Sequence, residues 1–125
     1  MSQSIKDFEL TKIAGEIMTK QYYIVQLDSS GNIEYADTAV GTNTIVGILQ
    51  NKPLAGEAAL YRFGGTSKVV ASAAISIGDM VTTTSEGKGV TTITAGDITV
   101  GRALEAATAD GDIIEVQMNI QNHYQ

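Results

Sequence analysis

The 125-residue chain has no cysteine and no tryptophan, and its one histidine is His123. The absence of cysteine excludes disulfides, thiolate zinc sites and cysteine nucleophiles, so added stability must come from packing or oligomerisation. A Ser-His-Asp triad would have to use His123, which lies in a polar stretch at the C-terminus, where chains are commonly mobile. We therefore expect a protein that is not an enzyme and that holds no metal and no cofactor.

Basic residues and long apolar runs are also scarce. Eight Lys and Arg stand against fourteen Asp and Glu, which gives a formal net charge of −6. Such a charge repels a phosphate backbone, so we expect no nucleic-acid partner. No apolar run approaches the roughly 20 residues of a membrane helix, and the N-terminus lacks the layout of a signal peptide. We expect no membrane contact and synthesis in a cytoplasm.

The abundant residues favour strands and turns. Hydrophobic residues make up 43% of the chain and aromatic ones 6%, so we expect a core of Val, Ile, Leu and Ala. The chain has 13 Gly and a single Pro. Because β-branched side chains suit a pleated surface and Gly tolerates positive φ, this composition predicts one all-β domain of short strands and tight turns.

The most informative feature is an order of signals that occurs twice. In each series a β-rich run enters a Gly turn, a Val-Gly strand follows, and a Gly-acid pair opens a last strand. The first series is Val25–Gly31, Val46-Gly47 and Gly56-Glu57, and the second is Val81–Gly87, Val100-Gly101 and Gly111-Asp112. This order predicts an internal duplication, with chance resemblance among β-rich segments as the alternative. The recurring glycines are predicted to be structural turns: Gly47, Gly56, Gly87, Gly101 and Gly111.

Alternating apolar residues and turn signals predict about nine short strands, at the spacing of a small barrel or sandwich. The predicted strands are Gln21–Leu27, Ile33–Tyr35, Ile45–Leu49, Ala58–Phe63, Lys68–Ala71, Met80–Thr84, Val90–Thr94, Thr99–Leu104 and Ile113–Ile120. Residues 1–20 are predicted to form an N-terminal arm, residues 21–120 the β domain, and residues 121–125 a polar tail.

The predicted arm is extended, with at most one short helical turn, because its apolar spacing fits neither a strand nor a helix throughout. Its apolar residues precede the duplicated part, so we expect them to contact a partner outside the core of their own subunit. The candidate docking residues are Ile5, Phe8, Leu10 and Ile13. An extended arm can add a strand to an exposed sheet edge of a partner.

Two groups of residues have the composition of a catalytic or ligand-binding site, but a structural role explains each group better. The Gly-acid pairs supply carboxylates for metal or acid-base chemistry, but most precede β-branched or apolar runs, which is typical of turns whose acid accepts a local backbone N–H. Gly64–Lys68 has the ingredients of a phosphate cradle. It lacks the spacing of a P-loop and lies between predicted strands, which favours a hairpin turn.

The chain resembles the small capsid-cement, or head-decoration, proteins of tailed bacteriophages. The resemblance covers about residues 14–120 and depends on the order of short motifs: Val25–Gly31, Val46-Gly47-Ile48, Ala55-Gly56-Glu57, Ile77–Val81, Val100–Ala103 and Asp110-Gly111-Asp112. It implies a small β-barrel or β-tulip that binds the outer surface of the expanded capsid as a homotrimer and bridges neighbouring major capsid protein subunits. It implies a virion location after synthesis in the host cytoplasm, and no catalytic residues.

Two other functions are compatible with the sequence. An oligomeric β module that binds glycans or a host surface would use exposed aromatic rings as stacking groups, for which the candidates are Tyr22, Tyr35 and Tyr61. An enzyme with its site between subunits would need convergent acids and a general base with a pKa near neutrality, and the sequence offers no such set. The expected function is capsid cementing without catalysis.

Overall fold

In the part of the chain that the structure describes, short apolar runs separated by Gly-containing turns build two antiparallel sheets of five strands each. We use a computed structural model, which describes residues 8–92 and 94–122. The first sheet contains β1 (Glu9–Ile13), β2 (Ile24–Leu27), β3 (Ile33–Tyr35), β4 (Ile45–Leu49) and β5 (Ala58–Arg62). Its strand order is β1-β5-β4-β2-β3. We call these strands and their connections the first unit.

The second sheet repeats this arrangement. It contains β6 (Thr66–Val70), β7 (Met80–Thr83), β8 (Gly89–Thr91), β9 (Ile98–Ala103) and β10 (Ile113–Asn122), which we call the second unit. The strand order β6-β10-β9-β7-β8 is that of the first sheet with each strand replaced by the strand five places later. The predicted internal duplication is confirmed by this shared topology.

Backbone hydrogen bonds repeat with the topology. The N–H of Ala14 donates to the carbonyl of Glu57 at 2.8 Å, and that of Ala71 donates to the carbonyl of Asp112 at 2.7 Å. In both units the residue after the first strand also forms a parallel bridge to the start of the third strand, which joins the two edges of the sheet at one point. Each sheet is therefore strongly curved, yet neither closes into a barrel, and the β-tulip form of the prediction is the one that holds.

The two matching hairpin turns are held by the same kind of side-chain bond. The carboxylate of Asp28 accepts the N–H groups of Ser30 and Asn32 at 2.8 and 2.9 Å. The hydroxyl of Thr84 accepts the equivalent N–H groups in the second unit at 3.2 and 3.3 Å. Asp and Thr favour turns because their side-chain oxygens replace a backbone acceptor. Gly87 follows with φ +85°, the left-handed conformation that glycine adopts at low cost.

Two apolar clusters form the core, and one of them joins the units. Residues inside the first sheet form the first cluster: Ala14, Met18, Val25, Ile33, Leu49, Ala59 and Tyr61. The second cluster contains the inward residues of the second unit, such as Val81 and Val116, together with Ile24 and Ile48 of the first. Because side chains alternate along a strand, β2 contributes Val25 to the first cluster and its neighbour Ile24 to the second.

All nine predicted strands overlap observed strands, and a tenth lies where none was predicted. Glu9–Ile13, within the predicted arm, forms β1 and pairs with β5. The Nε atom of Arg62 donates to the carboxylate of Glu9 at 2.9 Å, which ties β1 to the sheet. At the other end β10 continues to Asn122, two residues into the predicted tail.

The five candidate turn glycines occupy two kinds of position. Gly56 and Gly111 lie in turns with φ +86° and +95°, as does Gly87. Gly47 and Gly101 instead lie inside β4 and β9, so the expectation of a turn does not describe them. A Cβ at either strand position would collide with a backbone carbonyl oxygen of the neighbouring strand, because the strands approach closely at these points.

We expect alanine at the strand glycines to destabilise the protein more than alanine at the turn glycines. Gly47→Ala and Gly101→Ala should each cost about 2–3 kcal/mol of unfolding free energy, because the obstacle is backbone that cannot rotate away. Gly56→Ala and Gly111→Ala meet no atom within 4 Å and should cost about 1 kcal/mol from strain at positive φ alone. Urea unfolding of the four variants measures the order, and a reversed order would contradict this account.

Candidate functional site

Strand β1 carries two of the candidate docking residues on an exposed sheet edge. It pairs with β5 on one side and lies at the end of the strand order of its sheet. Leu10 and Ile13 are 54% and 49% exposed, and because strand side chains alternate they point to opposite faces. Ile13 faces outward beside Ala58, and Leu10 faces inward beside Tyr61. The edge thus offers apolar side chains on both faces to a partner.

Phe8 is partly engaged within its own chain. Its ring meets the ring of Phe63 edge to face, with centroids 6.2 Å apart and planes at 76°. The backbone N–H of Phe63 donates to the carbonyl of Phe8 at 2.9 Å, and Gly64 leaves room for the Phe8 ring. Phe8 therefore anchors the start of β1 while remaining 40% exposed. Ile5, the fourth candidate, lies outside the described residues.

The connections at one end of the first unit expose further apolar side chains. Ile17 lies in the β1–β2 connection and Leu54 in the β4–β5 connection, and both are largely exposed. The N–H of Met18 donates to the carbonyl of Pro53 at 2.9 Å, which brings the two connections together. Ile13 ends β1 at the same end of the unit. We call Ile13, Ile17 and Leu54 the loop-end patch.

The second unit exposes apolar residues from the equivalent connections. Ile77 precedes Gly78, whose N–H donates to the carbonyl of Ala103 at 2.8 Å, so that Ile77 lies near Leu104. Ile77 and Leu104 are both exposed, as is Ile113 at the start of β10. Sequence reasoning selected Ile13 of the loop-end patch, but it did not select Ile17, Leu54 or these residues of the second unit. The sequence feature that identifies them is a large apolar residue within a turn-rich connection.

A shallow polar concavity lies on the outward face of the second sheet. Its volume is about 160 Å³, and it is lined by Met80, Arg102, Gln117, Asn119 and Gln121. Arg102 is exposed and donates from Nη1 to the carbonyl of Gly78 at 2.8 Å. The lining combines one cation with three carboxamides, which suits hydrogen bonding to backbone or polar side chains.

The Gly-acid pairs have the local structural role that their sequence favours. The carboxylate of Asp112 accepts the N–H and the hydroxyl of Thr108 at 2.8 and 2.9 Å, and the N–H of Ala109 at 3.2 Å. Hydrogen bonds from the Thr108 backbone, then from its hydroxyl and from Ala109, hold the pKa of Asp112 below its ordinary value. Glu57 accepts the N–H of Leu54 at 2.9 Å in the equivalent turn. Among residues 8–92 and 94–122 no three acidic or imidazole side chains cluster to hold a metal ion.

The three tyrosines considered for glycan stacking are engaged within the chain. Tyr61 is only 6% exposed, and burial raises the pKa of its hydroxyl. The Tyr35 ring packs against Tyr23 with centroids 5.5 Å apart, and burial is the main cause of its raised pKa. Tyr22 lies under the ammonium group of Lys68, 5.7 Å from the ring centroid. Tyr61 is therefore excluded from a surface platform.

Two other expectations concern His123 and contact with a membrane. His123 lies outside the described residues, so the structure does not place it. No helix that could span a lipid bilayer occurs in the part of the chain that the structure describes.

The geometry defines a duplicated all-β protein whose exposed apolar side chains suit contact with other proteins. A family model described as phage cement protein matches residues 17–118. The chain therefore belongs to the phage cement protein family, as the sequence motifs indicated. It is a structural protein that associates with the phage capsid, and its location is the virion.

A solved structure supports the fold independently. The head fiber gp8.5 N base of bacteriophage phi29 matches with a TM-score of 0.63 at 18% sequence identity. The match covers 89% of this chain and 92% of that chain, so the likeness includes both units. At this identity the comparison shows a shared fold. A search of the curated proteins finds no match.

We expect Asp112→Asn to lower the melting temperature at neutral pH, because the amide accepts the same N–H groups without a charge. A carboxyl whose pKa is lowered by folding contributes stability above its unfolded pKa and loses it as pH falls through the folded pKa. The difference in melting temperature between wild type and variant should therefore shrink below about pH 4.

The control is Glu86→Gln, which removes one negative charge from another exposed turn. It should change the melting temperature little across the same pH range. An Asp112→Asn variant whose deficit is unchanged on acidification would show that the charge of Asp112 does not stabilise this turn.

Proposed function

We propose that this protein binds the outer surface of the expanded capsid as a homotrimer and cements neighbouring subunits of the major capsid protein. The family match over residues 17–118 is the observation that carries the proposal. The exposed strand edge and the loop-end patch support it, because a protein that acts by contact needs apolar side chains that its own core leaves uncovered.

Multivalency gives such a protein its strength without a large single interface. Once one subunit of a trimer has bound, contacts by the other two are intramolecular and form at a high effective concentration. A ligand that binds the assembled shell but not free capsid subunits stabilises the shell by mass action. Catalysis is not needed for this function.

The net charge favours the outer surface of the shell over the inner one. The chain carries a formal charge of −6, and packaged nucleic acid is strongly negative. Repulsion between the two disfavours a location inside the capsid. The same charge keeps free protein soluble before it meets a shell.

The docking surface we assign to the shell includes the candidate arm residues Ile5, Phe8 and Ile13, extended by Ile17 and Leu54. Ile13 faces outward at the loop end, where hydrogen bonds between the two connections fix the backbone. A fixed patch loses little conformational entropy on binding, which favours affinity. Leu10 faces the other way, and its partner is considered below.

Capsids that carry the protein should rupture at a higher temperature than capsids that lack it. Expanded shells without the protein are prepared, and purified protein is added back at increasing concentration. Bound protein stabilises the intact shell, so the rupture temperature measured by calorimetry should rise with occupancy and then level off.

Electron microscopy of the same samples establishes that the protein is bound. Bound protein with no change in rupture temperature would refute cementing while leaving capsid association intact. The surface-binding module would then be the function to test, by adding host cells or a glycan array to the decorated shells.

Ile13→Asp should weaken shell binding without unfolding the protein. Ile13 is half exposed at the end of an edge strand, so the carboxylate reaches water when the protein is free and loses hydration when it docks. Thr11→Asp is the matched control, because Thr11 is also exposed and points to the same face of β1.

Co-sedimentation with shells measures both variants, and circular dichroism checks their folding. We expect about tenfold weaker binding for Ile13→Asp, which corresponds to roughly 1.4 kcal/mol, and little change for Thr11→Asp. Equal binding by the two variants would remove Ile13 from the docking surface.

A further inference from the structure

The two units contact each other through different surfaces, so their stacking within the chain has a direction. The outward face of β2 and β4 is covered by the second unit, so that Ile24 and Ile48 are fully buried. The N–H of Ile24 donates to the carbonyl of Gly87 at 2.7 Å, and the Nε2 of Gln50 donates to the hydroxyl of Ser67 at 2.9 Å. Thus the outward face of one unit receives the edge strand and hairpin turn of the next.

Strand register identifies the residues of the second unit that correspond to this covered face. Val25 pairs with Gly47 in the first sheet as Val81 pairs with Gly101 in the second. The rows of residues across the sheets are equivalent in the same register: Ile24 with Met80, Ile48 with Arg102, Arg62 with Gln117, and Gln50 with Leu104. We call the Met80, Arg102, Gln117 and Leu104 surface the head face.

Within residues 8–92 and 94–122, no unit covers the head face. Met80 is partly exposed, Arg102 is exposed and Leu104 is 42% exposed, whereas Ile24 and Ile48 are fully buried. The concavity of about 160 Å³ lies on this face. The second unit therefore exposes a concave surface at the position where the first unit is covered by the second.

In the part of the chain that the structure describes, the opposite end of the stack is uncovered in the same way. In the second unit, β6 and the turn at Gly87 provide the covering edge, and in the first unit β1 and the turn at Gly31 are their equivalents. Register matches Leu10 of β1 with Ser67 of β6. Ser67 is buried against the first unit, whereas Leu10 is 54% exposed. We call β1 and the Asp28–Gly31 turn the tail edge.

We propose that a second copy of this chain docks at the head face, with its tail edge seated there as β6 is seated on the first unit. The intrachain contact between Gln50 and Ser67 then becomes a contact between Leu104 of one chain and Leu10 of the next. Both positions change from polar to apolar together, and both leucines are exposed in the single chain. A matched pair of exposed leucines is the pattern expected of an apolar contact between subunits.

The other residues of the two proposed contact surfaces include polar side chains, as expected of an interface that is exposed to water before assembly. Lys12 takes the place of the buried Val69. On β10, Gln117 of the head face and the exposed Glu115 beside it are polar partners for Lys12. Because the contact joins two different surfaces, it is heterologous and either closes into a ring or continues as a filament. For the number of subunits in the ring, this inference rests on the homotrimer of the proposed function.

Cross-linking between two single-cysteine variants tests the contact directly. The natural chain has no cysteine, so every cross-link comes from the introduced residues. Leu10→Cys and Leu104→Cys are produced in the same cells with tags of different size, so that mixed oligomers can form, and treated with a short bismaleimide. The control pair combines Leu10→Cys with Leu54→Cys, an exposed leucine outside the head face.

The head-to-tail contact predicts a cross-linked heterodimer for the first pair, at least about tenfold more abundant than for the control pair, because contacting thiols react at a high effective concentration. Homodimers of Leu10→Cys or Leu104→Cys in equal amount would indicate a two-fold contact and overturn the proposal. Absence of the heterodimer both in solution and on shells would overturn it as well.

Shell binding by the wild-type protein separates this inference from the proposed function. If the wild type decorates shells and the heterodimer is absent, the head-to-tail contact is wrong and cementing stands. If the heterodimer forms and the wild type does not bind shells, the contact stands and cementing is wrong.

Discussion

Burial of Ile24 and Ile48 in the core of the second unit holds the two units together. Each isoleucine loses all contact with water, and burial of such a side chain contributes about 1.5–3 kcal/mol. These residues lie on the outward face of their own sheet, so their burial requires a second sheet on top. A small sheet with few aromatic residues has little core of its own, and the shared cluster joins two such sheets into one folding unit.

This packing also gives the molecule a direction. A two-fold arrangement of the units would bury the same face of each sheet, whereas here the outward face of the first sheet meets an edge of the second. One face and one edge, at opposite ends of the stack, are consequently left uncovered by the described residues. In a capsid-associated protein without disulfides, uncovered surfaces of this kind are where association with other chains adds stability. The residues that we propose for docking are therefore those that the core leaves exposed.

The turns and the alternation of strand residues could be predicted from the sequence because both depend on local interactions. Asp28 and Thr84 mark matching turns by their own side-chain hydrogen bonds, and the alternation around Val25 or Val81 follows from the two faces of a strand. Strand β1 was missed because its residues are exposed or half exposed on both faces, which removes the alternation that identifies a strand. Tyr61 was considered as a surface ring. It is buried because its side chain points from β5 into the first cluster, on the side where β1 pairs with β5.

The all-β class, the repeated order of strands and turns, and the family can be inferred from the sequence, since each depends on short segments whose residue types act locally. It did not decide how the two units would meet. Ile24 and Met80 occupy equivalent places and look equally apolar in the sequence, yet one is fully buried and the other lies on an open face. Only the tertiary structure makes that distinction, because burial of an outward-facing side chain depends on which sheet packs against it.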